Sequence, residues 1–174
     1  MSMSEVGAID AMGSGAGVHV ASLDEIRSYS GLDFLRRIAD GRVAQPPIAA
    51  TLGFRLSEVA PGLAVFTMTP EFRHYNPIGT VHGGVASTLL DSCMSCAVQT
   101  HLAKGQGYTT LELKVNLVRA LTVDTPNVVA TGRVVSAGGR VATASGQITG
   151  PDGTLYAHAT TTCLVFEPRR GKEH

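Results

Sequence analysis

The sequence predicts an α+β domain, a mostly antiparallel sheet of six strands with one long helix between the second strand and the third. Three observations carry this. The stretch from Val85 to Ala103 has no Gly or Pro, and a helix over 84–103 would run about five and a half turns. Leu111, Leu113, Val115 and Leu117 alternate with Glu112, Lys114 and Asn116, the period of a half-buried strand. Turn signals at Pro61-Gly62, Ala137-Gly138-Gly139 and Pro151-Asp152-Gly153 divide the remaining apolar sequence into short strands.

In chain order, residues 1–21 are rich in Gly, Ser and Ala and lack aromatics, which predicts a mobile tail. Short helices are expected over 22–45. Ser22-x-x-Glu25 is a capping box for the first. Ser30-x-x-Asp33 opens the second, with Leu32, Leu35 and Ile38 on one face and Gly41 at its end. Pro46-Pro47 is expected to extend the chain. The main domain is expected over 46–167, with strands at 51–59 and 63–69 forming a hairpin, a loop at 70–83, and the helix. After a turn at Gly105–Gly107 come the strand holding Leu111–Leu117 and further strands at 127–136, 140–149 and 154–166, joined as consecutive hairpins. The helix is apolar on more than one stripe, so it should be buried all round. A basic tail, 168–174, closes the chain.

Bulk composition narrows the function. The chain has 174 residues, 44% apolar and 16% charged, with 14 basic and 14 acidic side chains. It is long enough for one proper core, and its zero net charge gives no footprint for nucleic acid or an anionic membrane. No run of about 18 apolar residues reads as a membrane span, and no signal peptide is recognisable. Three cysteines, two of them in the apolar helix, fit packing thiols in a reducing, cytoplasmic setting. The six histidines are scattered and Cys93-x-x-Cys96 has no second pair, so no metal site is expected.

Chemistry concentrates in "NPIGTVHGGVASTLLD", residues 76–91. No Asp, Glu, Lys or Arg stands between Arg73 and Asp91, or again before Lys104. Gly83 and Gly84 lie where the helix begins. Free amides and the positive end of the helix dipole there suit an oxyanion or a polarised carbonyl. Asp91 lies eight residues beyond Gly83, about 12 Å along the axis. One chain cannot bring both to the same reacting atom. A two-fold dimer can, and the carboxylate then serves as general base or nucleophile. Asn76 is placed to donate to an acyl oxygen or to shape the loop. His82 is placed to touch substrate or brace the helix start. Thr109 and Thr110 open the following strand, where a hydroxyl can hold a water near the carboxylate. Gly138-Gly139-Arg140 reads as a hairpin with an exposed arginine that can also meet a phosphate.

"NPIGTVHGGVASTLLD" followed by "TTLELKVNLVRAL" resembles the hotdog-fold acyl-CoA thioesterases of the phenylacetyl-CoA thioesterase family, over roughly residues 46–166. The resemblance implies a six-stranded antiparallel sheet wrapped around the long helix, in dimers often paired into tetramers, with sites between subunits. By position it implies Asp91 as the catalytic acid, Gly83 as the amide that polarises the thioester carbonyl and Asn76 as the polar group beside the acyl chain. It further implies His82 at the helix start and Thr110 as the hydroxyl that positions water. No metal or organic cofactor is implied, coenzyme A being part of the substrate. Its phosphates usually meet basic residues, for which Arg119 and Arg140 are the candidates. The strand ends "LVRALT" where a proline commonly follows the arginine in such sequences. The expected activity is hydrolysis of a small aryl- or medium-chain acyl-CoA. The alternatives are a non-catalytic acyl-CoA-binding protein and an enoyl-CoA hydratase or dehydratase. The last usually carries a histidine five residues after the acid, where this chain has Cys96.

Overall fold

The computed structural model describes Val18 and residues 20–167. The expected tails at 1–21 and 168–174 lie outside these, apart from Val18, Val20 and Ala21.

Local chemistry sets the N-terminal helices. The Ser22 hydroxyl accepts from the Glu25 N–H at 3.1 Å and caps α1 (Leu23–Arg27). Ser30 caps α2 (Gly31–Ala39) in the same way through the Asp33 N–H. Phe34, Leu35 and Ile38 form the buried face of α2, which packs against the first strand. Gly41, at φ +72°, takes the left-handed conformation after the helix. The expected extension at Pro46-Pro47 holds for Pro46, at φ −65° and ψ 151°, but not for Pro47. Pro47 instead starts α3 (Pro47–Leu52), because the first helical position needs no N–H donor and favours proline's fixed φ. The first strand therefore begins at Phe54 rather than residue 51.

The strands are β1 (Phe54–Ala60), β2 (Leu63–Met68), β3 (Gly107–Leu117), β4 (Val128–Ala137), β5 (Val141–Thr149) and β6 (Leu155–Phe166). They form one sheet in the order β1-β2-β4-β5-β6-β3, antiparallel throughout. The expected hairpin between β3 and β4 is corrected here. β3 crosses to the far edge and pairs with β6, while β4 pairs with β2. Among the described residues, β3 is hydrogen-bonded to a strand on one side only.

The long helix, α4, runs Gly83–Gln99, four residues shorter at its C-terminus than expected. It lies against the sheet, touching β2, β3, β4, β5 and β6. Gly132 and Gly146, cross-strand partners on β4 and β5, let it come close. A Cβ on Gly132 would stand 2.2 Å from the Cys93 carbonyl oxygen, and one on Gly146 2.7 Å from Met94 Cγ. Leu89, Leu90, Cys93, Met94, Ala97 and Val98 are fully buried on that side. The helix is not buried all round, however. Ser87, Thr88, Asp91, Ser92, Cys96 and Gln99 form a stripe at spacings of three and four that is only half-buried in the single chain. β3 departs too. A bulge between Thr110 and Glu112 throws Leu111 outward, and Leu117 is 59% exposed. No helix among the described residues is long and apolar enough to cross a membrane.

Candidate active site

The segment before α4 is tied down by short-range bonds. A 3-10 turn at Phe72–His74 docks on the end of α3 through Arg73, which donates to the Thr51 carbonyl at 3.1 Å and pairs with Glu71 at 3.0 Å. His74 is 3% exposed; its Nδ1 accepts the Glu71 N–H and its carbonyl accepts the His82 N–H at 2.7 Å. Burial, then the Arg73 cation, pushes the His74 pKa below the ordinary histidine value, against a smaller opposing pull from Glu71. Asn76 Oδ1 accepts the Ile78 and Thr80 amides and Nδ2 donates to Thr80 Oγ1, all at 3.0–3.1 Å. The asparagine is thus a loop brace with one amide hydrogen committed.

His82 is the N-cap of α4. Its Nδ1 accepts the Gly84 N–H at 2.8 Å. The neighbouring Gly83 N–H makes no hydrogen bond among the described residues. It opens on a cleft of about 210 Å³ lined by Asn76, Gly83, Leu117, Arg119 and Tyr156, among others. A free amide at a helix N-terminus, with an arginine in the same cleft, suits the oxygen of a polarised carbonyl next to an anionic group.

Asp91 is not part of that cleft. It lies on the half-buried stripe of α4, where Thr110 Oγ1 donates to its Oδ1 at 3.0 Å. Register decides between the two threonines. Thr110 stands opposite buried Cys163, whereas Thr109 stands opposite Leu164 and is exposed. Around the carboxylate, the Cys96 thiol is pushed up to about 12, by burial first and by the Asp91 charge second. Burial drives the Cys93 and Cys163 thiols upward as well. All three cysteines are free and act as packing thiols. Among the described residues no group of three or more His, Cys, Asp or Glu is placed to hold a metal.

The two arginines part company. The Arg119 N–H donates to the Tyr156 carbonyl, while the Arg140 carbonyl accepts from Val165. These anchors are nine residues apart on β6, about 30 Å along an extended strand. One chain therefore cannot apply both to the same phosphate group.

Residues 78–157 match the family model described as Thioesterase superfamily. Over that stretch the chain is similar to the thioesterase superfamily, and its fold is the hotdog fold. None of the curated proteins compared with it matches. Among solved structures, the chain is similar to a phenylacetic acid degradation-related protein from Ralstonia eutropha, 27% identical, covering 75% of this chain and 98% of that one with a TM-score of 0.68. It is similar to a protein from Thermus thermophilus at 29% identity, over 70% and 98% of the two chains with a TM-score of 0.63. A thioesterase family protein from Silicibacter pomeroyi, 24% identical, shares the fold over 76% and 98% of the chains at a TM-score of 0.68.

Sequence reasoning missed two residues beside these groups. His74 carries the loop that delivers the Gly83 amide, and only its place in an uncharged stretch hinted at burial. Tyr108 shares Thr110's face of β3 and its hydroxyl donates to Ser95 Oγ at 3.4 Å. The period of two from Thr110 was the available signal.

Proposed function

We propose that the chain hydrolyses a small aryl- or medium-chain acyl-CoA thioester at a site completed by a two-fold dimer. The observation that carries this is the separation of the groups. A free Gly83 amide and a Thr110-oriented Asp91 carboxylate lie eight residues apart on one helix, each lacking the other. A two-fold that sets the helices side by side supplies both at once, twice per dimer. The open β3 edge, with Leu111, Leu117 and Val118 exposed, supports pairing of β3 with its copy. An antiparallel pairing also sets Arg119 of one chain near the hairpin of Arg140 in the other, since Arg140 sits about 10 Å across the sheet from the start of β3. The pair would then serve the coenzyme A phosphates.

In the mechanism the thioester carbonyl oxygen accepts the Gly83 N–H. The partner's Asp91 takes a proton from water, and the hydroxide adds to the carbonyl carbon. Collapse of the tetrahedral adduct breaks the C–S bond, and the departing sulfur takes the proton from Asp91. Direct attack by the carboxylate, through an acyl-aspartyl anhydride that water then opens, fits the same placement. Neither route uses a metal or organic cofactor. Asn76, through its uncommitted amide hydrogen, stands on the acyl-oxygen side, and His82 holds the helix start rather than the substrate. Three free thiols are in keeping with a cytoplasmic setting.

The test is acyl-CoA turnover by wild type and Asp91→Ala. A hundredfold or greater loss, within the roughly 10²–10⁴ of positioned acid–base groups, supports the assignment. Undiminished turnover in the variant overturns it, and tight ester binding without turnover by the wild type points instead to a non-catalytic binder.

A further inference from the structure

β3 presents one row of side chains to α4. Tyr108 and Thr110 lie opposite buried Val165 and Cys163, and after the bulge Leu113 and Val115 continue the row. The polar Thr110–Asp91 pair thus sits between an aromatic ring on one side and aliphatic packing on the other. On α4, Ser95 follows Asp91 by four residues, one turn or about 6 Å along the axis. Tyr108 precedes Thr110 by two, about 6.6 Å along the strand. The Tyr108 hydroxyl meets Ser95 at 3.4 Å, so the phenol bridges β3 and α4 one turn past the carboxylate. Burial, the leading cause, holds this phenol far above its ordinary pKa, so it stays neutral.

From a thioester carbonyl held between the partner's Gly83 and this chain's Asp91, the two arms of the substrate leave in different directions. The coenzyme A arm belongs in the partner's open cleft, which carries the arginine. The acyl arm is left with the Asp91 side of α4. Toward Leu113 and Val115 the space between β3 and α4 is filled by side chains packed on the core. We infer that Tyr108 is the wall of the acyl pocket and restricts this site to short or compact acyl groups. The inference rests on the acyl-CoA reading above and narrows its substrate class.

The experiment measures kcat/KM of wild type, Tyr108→Ala and Tyr108→Phe against acetyl-, butyryl-, phenylacetyl-, octanoyl- and dodecanoyl-CoA. Wild-type efficiency is expected to drop beyond the compact members. Tyr108→Ala should raise the octanoyl-to-butyryl ratio tenfold or more, since each further methylene buried is worth about fourfold. Tyr108→Phe should keep the wild-type profile, because the ring and not its hydroxyl is the barrier. An Ala variant with the wild-type profile overturns the inference. Should Tyr108→Ala fail to fold, Tyr108→Leu preserves apolar packing, and the same ratio decides. If the wild type binds the esters without turning them over, the hydrolysis reading falls, and the same comparison read on Kd still decides whether the wall exists.

Discussion

At the residue scale, the Asp91 carboxylate has one side-chain partner among the described residues, the Thr110 hydroxyl. A hydrogen bond to a charged group is worth about 1.5–3 kcal/mol, and here it orients the carboxylate that the proposed mechanism turns toward water or the carbonyl carbon. Thr110→Ala should lower kcat by about 10- to 100-fold with KM little changed, Thr110→Ser should restore it, and Thr109→Ala should have little effect. Steady-state kinetics on the four proteins checks this. The sequence left the two threonines undivided, because the bulge after Thr110 obscures the strand's phase. It did separate Gly83 from Asp91, since helical rise converts eight residues into a distance no side chain spans. Gly83 also permits a test by subtraction. It is the first residue of α4 and follows His82 at φ −61° and ψ 134°, a backbone compatible with a following proline. Gly83→Pro replaces the amide hydrogen by a ring carbon at the position where helices accept proline; the ring would also displace the exposed Leu117 tip. Helix content by circular dichroism should persist while kcat falls by about 10²–10³, the cost of one oxyanion donor.

At the scale of elements, the long helix and the positions of all six strands were legible because their periods are local, the first strand with its start three residues early. α3 was not, because a proline pair that ends one helix equally starts another. Strand order was not either, because β3 leaves for β6 through contacts far apart in sequence. The close seat of α4 on β4 was hidden for the same reason. Gly132 looks like any strand glycine until its missing Cβ is found facing the Cys93 carbonyl. Gly132→Ala should destabilise by about 2–3 kcal/mol, the upper part of the overpacking range, because the obstructing atom is backbone; urea denaturation measures it. The loop that brings Gly83 to the cleft carries its own pH signature. Folded His74 binds a proton less readily than unfolded His74, because burial and Arg73 disfavour the cation. Below the ordinary histidine value of about 6.5 the unfolded chain gains a proton that the folded chain refuses. Stability from this group is therefore complete above that value and declines as pH falls toward the folded pKa. Asn at position 74 can still accept the Glu71 N–H but does not titrate. The melting-temperature gap between wild type and His74→Asn should narrow from about pH 8 to about pH 5, and a constant gap would count against the assignment.

At the scale of the whole molecule, the proposed site has a composition that mixing can reveal. An Asp91→Ala chain keeps the Gly83 amide but lacks the acid. A Gly83→Pro chain keeps the acid but lacks the amide. Each homodimer carries two sites with one essential group missing, so each should be nearly inactive. In a mixed dimer the Gly83 of the first chain faces the Asp91 of the second, which rebuilds one complete site, while the other site loses both groups. Random reassortment makes about half of all dimers mixed, each with one working site of two, so an equal mixture should recover about a quarter of wild-type activity. Unfolding and refolding the two variants together, or co-expressing them with different tags, supplies the mixture. Mixing the same proteins without exchange is the control. Recovery places the amide and the acid of one site on different chains. A co-refolded mixture shown by tags to contain mixed dimers, yet no more active than its parents, would sink that arrangement even if each single variant is inactive on its own.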